Sequence, residues 1–281
     1  MFSDVLLTVD YDRTLTDTNA IVSQRNLEAI RYFVENGGTF TINSGRSLPM
    51  TRCFRDIVPV NAPLLLFNGS AWYDLGKGEL ENSYLIDLDP VTAVYELQAR
   101  FPALTVEVQG VDNHYIFKKN PVWEDYIDHN GGSWKYTTPD QTGPFLKFAV
   151  YSKYESKFAS DMYRVVDEEM DLMAQADAFI QRRWGDKVDT FRACPRILDI
   201  HCKGVSKLRS ARDLQKKLGK KILVCVGDAE NDLSMLEGAD YAYCPADGMV
   251  AARFENVCPC DDGAVADVIY KKIPELLKNR A

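Results

Sequence analysis

Short apolar runs alternate with amphipathic stretches at both ends of the chain. Val5–Val9 is rich in β-branched residues and has no polar alternation, which is typical of a strand buried on both faces. Residues 24–36 carry apolar side chains along one helical face, with Ser23 as the cap. Such alternation predicts an α/β fold, a parallel sheet covered by helices on both faces. We predict its strands at Val5–Val9, 39–43, 64–67, Ile197–Cys202 and Ile222–Val226, and a helix from Ser47 through Met50, Phe54 and Ile57.

The middle of the chain shows a different order of elements. Asp89 and Asn120 each precede a proline, and a capping residue before proline is typical of a helix start. Strand-like runs stand in adjacent pairs here, which favours an antiparallel sheet with helices on one face. The runs are residues 104–108, 115–118, 145–151, 179–184 and 190–193, with a helix around Phe158, Met162 and Val166. We therefore predict a core formed by residues 1–83 and 190–281 and an inserted α+β domain formed by residues 84–189.

The amino-acid composition argues against nucleic-acid and membrane partners. The 281 residues include 33 Lys and Arg against 41 Asp and Glu, a net charge of −8 at pH 7. Nucleic-acid-binding proteins usually have a basic excess, so we expect no nucleic-acid partner. No stretch approaches the ~20 apolar residues of a membrane span, and no basic leader precedes an apolar run, so we expect no membrane partner. The seven scattered cysteines suit reduced thiols, which predicts a cytoplasmic protein.

Two acidic residues follow the first predicted strand. Asp10 and Asp12 lie two positions apart, so their side chains project to the same side of an extended chain. Ligands of open parallel α/β sheets bind beyond the carboxyl ends of the strands. Two neighbouring carboxylates repel each other unless a cation lies between them or one is protonated. Taken alone, the pair is equally consistent with solvated acids in a turn.

Further polar residues follow other predicted strands. Ser44 and Gly45 offer a hydroxyl and an accessible backbone amide, Asp228 and Asp232 offer carboxylates, and Lys207 offers an ammonium. Each has an ordinary explanation on its own, namely a turn, a helix cap or a solvated lysine. Together with Asp10 and Asp12 they form a set suited to Mg²⁺ and a phosphoryl group.

Four segments in this order resemble the haloacid dehalogenase-type phosphohydrolases, specifically the Cof-type sugar-phosphatase branch with a C2B-type cap. They are residues 10–15, 43–46, 204–207 and 227–232, and the Asn68-Gly69 pair matches a turn usual before that cap. The resemblance implies a Rossmann-like core with an inserted α+β cap. It also implies an Mg²⁺-dependent phosphatase that hydrolyses a small phosphorylated metabolite through an aspartyl-phosphate, and we expect this metabolite to be a sugar phosphate.

The resemblance also implies a role for each matching residue. Asp10 would be the nucleophile, and Asp12 would protonate the leaving group and then activate water. The expected phosphate-binding residues are Ser44, Gly45, Lys207 and Asn231. The expected Mg²⁺ ligands are Asp10, Asp12 through its backbone carbonyl, Asp228 and Asp232. Thr14 would steady the first loop.

The chain departs from the family pattern at Arg13, where glycine is usual. Arginine does not adopt a positive φ freely, so this loop either keeps φ negative or is strained. Two rival functions also fit the same residues. One is a phosphomutase on the same scaffold, and the other is a phosphate-responsive regulatory module without turnover. The sequence leaves the natural substrate and the oligomeric state open.

Overall fold

The computed structural model describes residues 1–152 and 167–280. The predicted helix around Phe158, Met162 and Val166 lies outside the described residues. The described strands are β1 (Val5–Val9), β2 (Thr39–Ile42), β3 (Leu64–Leu66), β4 (Ala71–Asp74), β5 (Glu79–Ser83), β6 (Thr105–Gln109), β7 (His114–Ile116), β8 (Trp134–Tyr136), β9 (Lys147–Tyr151), β10 (Val188–Cys194), β11 (Ile197–Cys202), β12 (Ile222–Val226), β13 (Tyr241–Pro245) and β14 (Glu255–Val257). The described α-helices are α1 (Gln24–Glu35), α2 (Pro90–Arg100), α3 (Pro121–His129), α4 (Asp167–Trp184), α5 (Lys207–Lys217), α6 (Leu233–Glu237), α7 (Ala264–Asp267) and α8 (Ile273–Lys278).

The chain divides into two compact units. We call residues 1–44, 54–81 and 206–281 the core unit, and residues 45–53 and 82–205 the insert unit. The core unit contains a five-stranded sheet in the order β14-β13-β12-β1-β2, and all its paired strands are parallel. The mixed α/β fold with a parallel core sheet is therefore as predicted.

Helix α1 illustrates how the core sequence selects its elements. The Ser23 side chain accepts a hydrogen bond from the backbone N–H of Asn26, which caps the helix. Leu27, Ile30 and Phe33 follow at helical spacing and are buried. Beyond the helix, Gly37 adopts a φ of +90°, a conformation that glycine adopts without strain. The chain can therefore turn back into β2.

The order of strands brings several loops to one edge of the core sheet. Strand β1 lies between β12 and β2, so the loops that begin at Asp10, Asn43 and Gly227 leave neighbouring parallel strands at their carboxyl ends. A bridge between Asn43 and Leu65 adds the end of β3 beside β2. Strand β3 also pairs antiparallel with β4 in a three-stranded sheet of order β3-β4-β5, and residues 76–78 lie between β4 and β5.

The insert unit contains a six-stranded sheet in the order β10-β11-β9-β6-β7-β8. Its pairs are antiparallel except for β7 with β8. One face is apolar, because Val108, Phe148 and Ile200 pack with residues of α2 and α4. On the opposite face, Ile127 of α3 packs with Ala149 and Met50. Helices therefore cover both faces, and the prediction that they lie on one face is wrong.

Three other predictions for the insert are corrected by the structure. Strand β10 pairs antiparallel with β11, and β11 pairs antiparallel with β9, so the predicted core boundary at residue 190 falls inside a strand of the insert unit. Residues 179–184 form the end of α4 rather than a strand, because Ala176, Ile180 and Trp184 share the buried face of that helix. The helix predicted from Ser47 is a single 3₁₀ turn, Pro49–Cys53. Among the described helices, none has the length and apolar character needed to cross a membrane.

Candidate active site

Three buried carboxylates lie together at the edge of the core sheet. Asp10 follows β1 and Asp228 follows β12 after Gly227, while Asp232 ends the short helical turn Glu230–Asp232. One ligand oxygen from each lies within 4.8 Å of the others, and among the described residues no other group of three potential metal ligands lies so close. Asp232 Oδ2 accepts hydrogen bonds from the backbone N–H groups of Asp228 (3.0 Å) and Ala229 (3.1 Å), which folds this loop back on itself.

Lys207 connects two of these carboxylates. Its Nζ lies 2.5 Å from Asp10 Oδ1 and 2.7 Å from Asp232 Oδ1, and its side chain is fully buried. Burial alone would lower the pKa of this lysine, but the negative charges of Asp10 and Asp232 raise it above its ordinary value. Lys207 is therefore a fixed cation in a chain of net negative charge.

Two residues hold the start of α5, where Lys207 lies. Ser206 caps this helix by accepting a hydrogen bond from the backbone N–H of Arg209. The buried Asn43 side chain donates from Nδ2 to the backbone carbonyl of Lys207 at 2.9 Å. The position of Lys207 thus depends on the end of β2 as well as on its own helix. The sequence analysis did not assign this role to Asn43, although an amide at the end of a strand and directly before Ser44 was a usable signal.

The loop after Asp10 is fixed by Thr14 and by an unusual conformation at Arg13. Thr14 Oγ1 donates to Asp228 Oδ1 at 2.9 Å, and it thereby joins the loops that follow β1 and β12. Arg13 has a φ of 56° and a ψ of 12°, in the left-handed region. Of the two alternatives posed by the sequence, the strained one is therefore correct. The guanidinium lies 3.9 Å from Asp247, in a pair that is about one-third exposed on each side.

Burial raises the pKa of two of the carboxyl groups. The pKa of Asp10 is raised to about 7 by desolvation, and the charges of Asp232 and Asp12 add to the shift while Lys207 opposes it. Desolvation also raises the pKa of Asp228 well above its ordinary value, with further contributions from Asp10 and Asp232. The three acids carry more negative charge than one ammonium can neutralise. A bound dication with oxygen ligands would remove this excess, and carboxylate oxygens are suitable ligands for Mg²⁺. The residues present therefore fit the predicted ion.

Asp12 lies near this cluster but is not part of it. Its side chain is half-buried, and its charge raises the pKa of Asp10. The described metal-ligand group does not include the Asp12 side chain. The role of the Asp12 backbone carbonyl as a metal ligand stays a prediction.

Two of the predicted phosphate-binding residues, Ser44 and Asn231, lie around a left-handed turn. The backbone N–H of Ser44 donates to the Leu65 carbonyl at 2.9 Å, and its carbonyl accepts from the backbone N–H of Asn68 at 3.0 Å. Asn231 Nδ2 donates to Asn68 Oδ1 at 3.3 Å. The turn predicted at Asn68-Gly69 is present, and Phe67, Asn68 and Gly69 all have a positive φ. Asn68 therefore links Ser44 with Asn231, a function that the sequence analysis did not foresee.

The comparison with protein families identifies the class. The profile of the haloacid dehalogenase-like hydrolases matches residues 7–269, which is most of the chain. The chain belongs to this family, as the sequence analysis predicted.

Several curated relatives of this chain are phosphatases. A phosphoglycolate phosphatase of Thermoplasma volcanium is 21% identical over 76% of this chain and 95% of its own length. A putative phosphatase of Streptococcus pyogenes is 25% identical over 83% of each chain. A 5-amino-6-(5-phospho-D-ribitylamino)uracil phosphatase of Bacillus subtilis is 20% identical over 83% of this chain and 80% of its own length. Family membership together with these relatives identifies an enzyme of the phosphatase class.

Solved structures show the same fold. A haloacid dehalogenase-like hydrolase from Bacteroides thetaiotaomicron superposes with a TM-score of 0.78 at 20% identity, over 97% of this chain and all of its own. A sugar phosphatase of haloacid dehalogenase subclass IIB superposes with a TM-score of 0.73 at 16% identity, over 97% of this chain and 98% of its own. The predicted core and insert architecture is therefore that of known members of this family.

Proposed function

We propose that this protein is an Mg²⁺-dependent phosphatase that hydrolyses a small phosphorylated metabolite, with a sugar phosphate as the substrate class. The main support is the contact of Lys207 Nζ with Asp10 Oδ1 at 2.5 Å, inside the cluster of three buried carboxylates. A nucleophilic carboxylate, a fixed cation and a cluster of oxygen ligands are the parts that phosphoryl transfer requires.

In the first step, a carboxylate oxygen of Asp10 attacks phosphorus. A bond forms between this oxygen and phosphorus, the bond between phosphorus and the ester oxygen breaks, and Asp12 donates a proton to the departing oxygen. The product is an aspartyl-phosphate and a free alcohol. Asp12 is suited to proton transfer because its side chain is half-buried two residues beyond Asp10, outside the buried carboxylate cluster.

In the second step, water attacks the aspartyl-phosphate. Asp12 accepts a proton from this water as its oxygen bonds to phosphorus, and the bond between phosphorus and Asp10 breaks. Inorganic phosphate leaves, and the Asp10 carboxylate is regenerated. Lys207 would stabilise the phosphoryl oxygens together with Ser44, Gly45 and Asn231. These residues supply an ammonium, a hydroxyl, a backbone amide and a side-chain amide, and such donors stabilise charge on a transferring phosphoryl group.

Asp10, the Asp12 backbone carbonyl, Asp228 and Asp232 would hold the Mg²⁺ ion. When bound, the ion would neutralise negative charge on the carboxylates and on the phosphoryl oxygens. Thr14 keeps Asp228 in place through its 2.9 Å hydrogen bond. Asp232 is kept in place by the backbone N–H groups of Asp228 and Ala229. This chain therefore orients the acids through its own contacts.

The substrate class is supported by the named relatives. By their names, these relatives act on phosphoglycolate, a phosphorylated ribitylaminouracil and sugar phosphates, all of which are small phosphomonoesters. We assign the insert unit, residues 45–53 and 82–205, as a cap that selects the leaving group. None of the seven cysteines, all of which lie among the described residues, forms a disulfide, and this supports a reducing compartment such as the cytoplasm.

The test is a release assay for inorganic phosphate across a panel of sugar phosphates and other small phosphomonoesters, with Mg²⁺ present. We expect turnover of at least one sugar phosphate, loss of activity on chelation and recovery when Mg²⁺ is added back. Asp10→Asn is the matched control, because it removes the attacking oxygen and nearly preserves shape. Release of phosphate from no member of the panel, or equal release by Asp10→Asn, would contradict the proposal.

A further inference from the structure

The loop after β2 belongs to two units. Ser44 is the last residue of one range of the core unit, whereas residues 45–53 are grouped with the insert unit. Ser44 is held by backbone hydrogen bonds to Leu65 and Asn68, within the core unit. The next residues are held by side chains of the insert's sheet. The proposed phosphate-binding residues Ser44 and Gly45 are thus each held by contacts within their own unit.

Lys147 is the first of these side chains. It begins β9, only about 7% of its side chain is exposed, and its Nζ donates to the backbone carbonyl of Gly45 at 3.0 Å. The same ammonium lies 3.2 Å from Asp199 on β11, which neutralises its charge. Because Gly45 has no Cβ, more backbone conformations are accessible to it than to other residues. The lysine contact therefore restricts the residue that directly follows Ser44.

His114 is the second of these side chains. Its Nε2 lies 2.7 Å from Ser47 Oγ, and its Nδ1 contacts Glu107. Glu107 also accepts hydrogen bonds from Trp123 Nε1 and, at 2.8 Å, from Gln109 Nε2. All of these side chains are buried, so bulk water does not compete for their hydrogen bonds. The imidazole is therefore held at both nitrogens, with one of them directed at the loop.

The register of the sheet explains why these residues act on the same side. Lys147 lies opposite Gln109 on β6 and opposite His201 on β11, and His114 lies opposite Gln109 on β7. Residues directly opposite each other share a face of the sheet. The other face carries the apolar side chains that pack with α2 and α4. The opposite face of the insert's sheet therefore carries buried charged side chains beside the apolar cluster of Ala149 and Ile127, and Lys147 and His114 on this face contact Gly45 and Ser47.

We propose that Lys147 and His114 are positioning residues that hold the Ser44-Gly45 loop in its phosphate-binding conformation. This inference rests on the proposed function for the role of Ser44. Neither side chain needs to touch the substrate. Lys147 acts through the Gly45 carbonyl and His114 through Ser47. Small displacements of positioned groups are costly, since a shift of about 1 Å can lower activity about 100-fold.

The test compares Lys147→Met with Lys187→Met. Lys187 is a matched control in the same unit, because its Nζ also contacts a backbone carbonyl (Asp87, 3.1 Å) and a carboxylate (Asp87 Oδ2, 3.2 Å) but does not contact the loop. Affinity for inorganic phosphate is measured by calorimetric titration with Mg²⁺ present, alongside kcat and KM. We expect Lys147→Met to bind phosphate roughly 10- to 100-fold more weakly and Lys187→Met to change it less than about twofold. Equal affinity in wild type and Lys147→Met would overturn the proposal.

A second variant separates positioning from stability. Lys147→Met removes a positive partner of the buried Asp199 carboxylate, and a buried negative charge that loses such a partner destabilises the fold. The double variant Lys147→Met/Asp199→Leu removes that charge, so we expect the melting temperature to recover while phosphate affinity stays low. Recovery of phosphate affinity together with melting temperature would show that Lys147 has only a structural role, and this would overturn the proposal.

A double-mutant cycle tests whether Lys147 acts through Ser44. In a Ser44→Ala background, we expect Lys147→Met to cause less than half of its original loss on a logarithmic scale, because the hydroxyl it positions is already absent. Fully additive losses would contradict the proposal. The titration does not need turnover. Phosphate binding with this pattern but no hydrolysis would reject only the proposed function, and hydrolysis that is insensitive to Lys147 would reject only the positioning role.

Discussion

Replacing Gly69 with alanine adds a single methyl group, but we expect it to destabilise the core unit strongly. Gly69 has a φ of +98°, and a Cβ built there would lie 2.5 Å from the Ser206 carbonyl oxygen and 2.9 Å from Ser210 Cβ. Both contacts are shorter than van der Waals distances, and the first involves backbone that cannot rotate away. Left-handed backbone costs an L-residue about 1–2 kcal/mol, and overpacking adds about 1–3 kcal/mol. We therefore expect Gly69→Ala to lower the free energy of unfolding by about 2–5 kcal/mol.

Gly219→Ala is the matched control for this prediction. Gly219 also lies in the core unit with a positive φ, +63°, but a Cβ there would meet no atom within 4 Å. Its substitution should cost only the backbone term, about 1–2 kcal/mol. Urea unfolding followed by circular dichroism measures both variants. Equal destabilisation by the two substitutions would refute the close approach of the turn to helix α5. Because Ser206 caps the helix that begins at Lys207, Gly69→Ala should also lower kcat/KM, whereas Gly219→Ala should not.

Three further predictions follow from other parts of the core and insert. Arg13→Ala should be about 1 kcal/mol less stable than Arg13→Gly by urea unfolding, since both lose the side chain but only glycine relieves the left-handed φ of 56°; equal stabilities would contradict this. Burial, together with the nearby Lys147 charge, holds the pKa of His201 well below 6.5. The imidazole therefore binds a proton more readily in the unfolded chain than in the folded one, and the free energy of unfolding should fall as pH drops below about 6.5. His201→Gln should show a shallower fall, and an equal slope would count against a neutral buried imidazole. Asp12→Asn should lower kcat by about 10²- to 10⁴-fold for substrates with poor leaving groups, with an unchanged melting temperature; near-normal kcat would remove Asp12 from proton transfer.

Local patterns were sufficient for the strands and loops at the edge of the core sheet. The apolar runs at Val5–Val9 and Ile222–Val226 are short and rich in β-branched residues, which predicts buried strands, and the acids beyond them share one edge because the strands are parallel. The side chains of Asp10, Asp228 and Asp232 are indeed close together. That three acids would cluster was thus predictable from strand order alone.

The features that the sequence analysis missed depend on contacts between residues far apart in the chain. Ile197–Cys202 resembles a buried core strand, but it pairs antiparallel with β9, so Lys207 follows a strand of the other sheet. Residues 179–184 are rich in aromatic and β-branched side chains, yet their buried members lie at helical spacing with Ala176. The pairing of Ile197–Cys202 with β9 and the buried face of α4 both depend on residues far away in the sequence, so a short stretch of sequence does not reveal them. The contact between Lys147 and Gly45 joins positions 102 apart, and it was invisible for the same reason.

Trapping of the covalent intermediate tests the central claim most directly. The variant Asp12→Asn is mixed with p-nitrophenyl phosphate and Mg²⁺, because this leaving group needs no proton and only the second step then depends on Asp12. The account predicts a rapid release of about one p-nitrophenolate per chain, followed by slow turnover. Acid quenching, digestion and mass spectrometry should place the phosphoryl group on Asp10. The double variant Asp10→Asn/Asp12→Asn should give neither burst nor label. A burst with the phosphoryl group on another residue, or steady turnover without any labelled Asp10, would contradict the account.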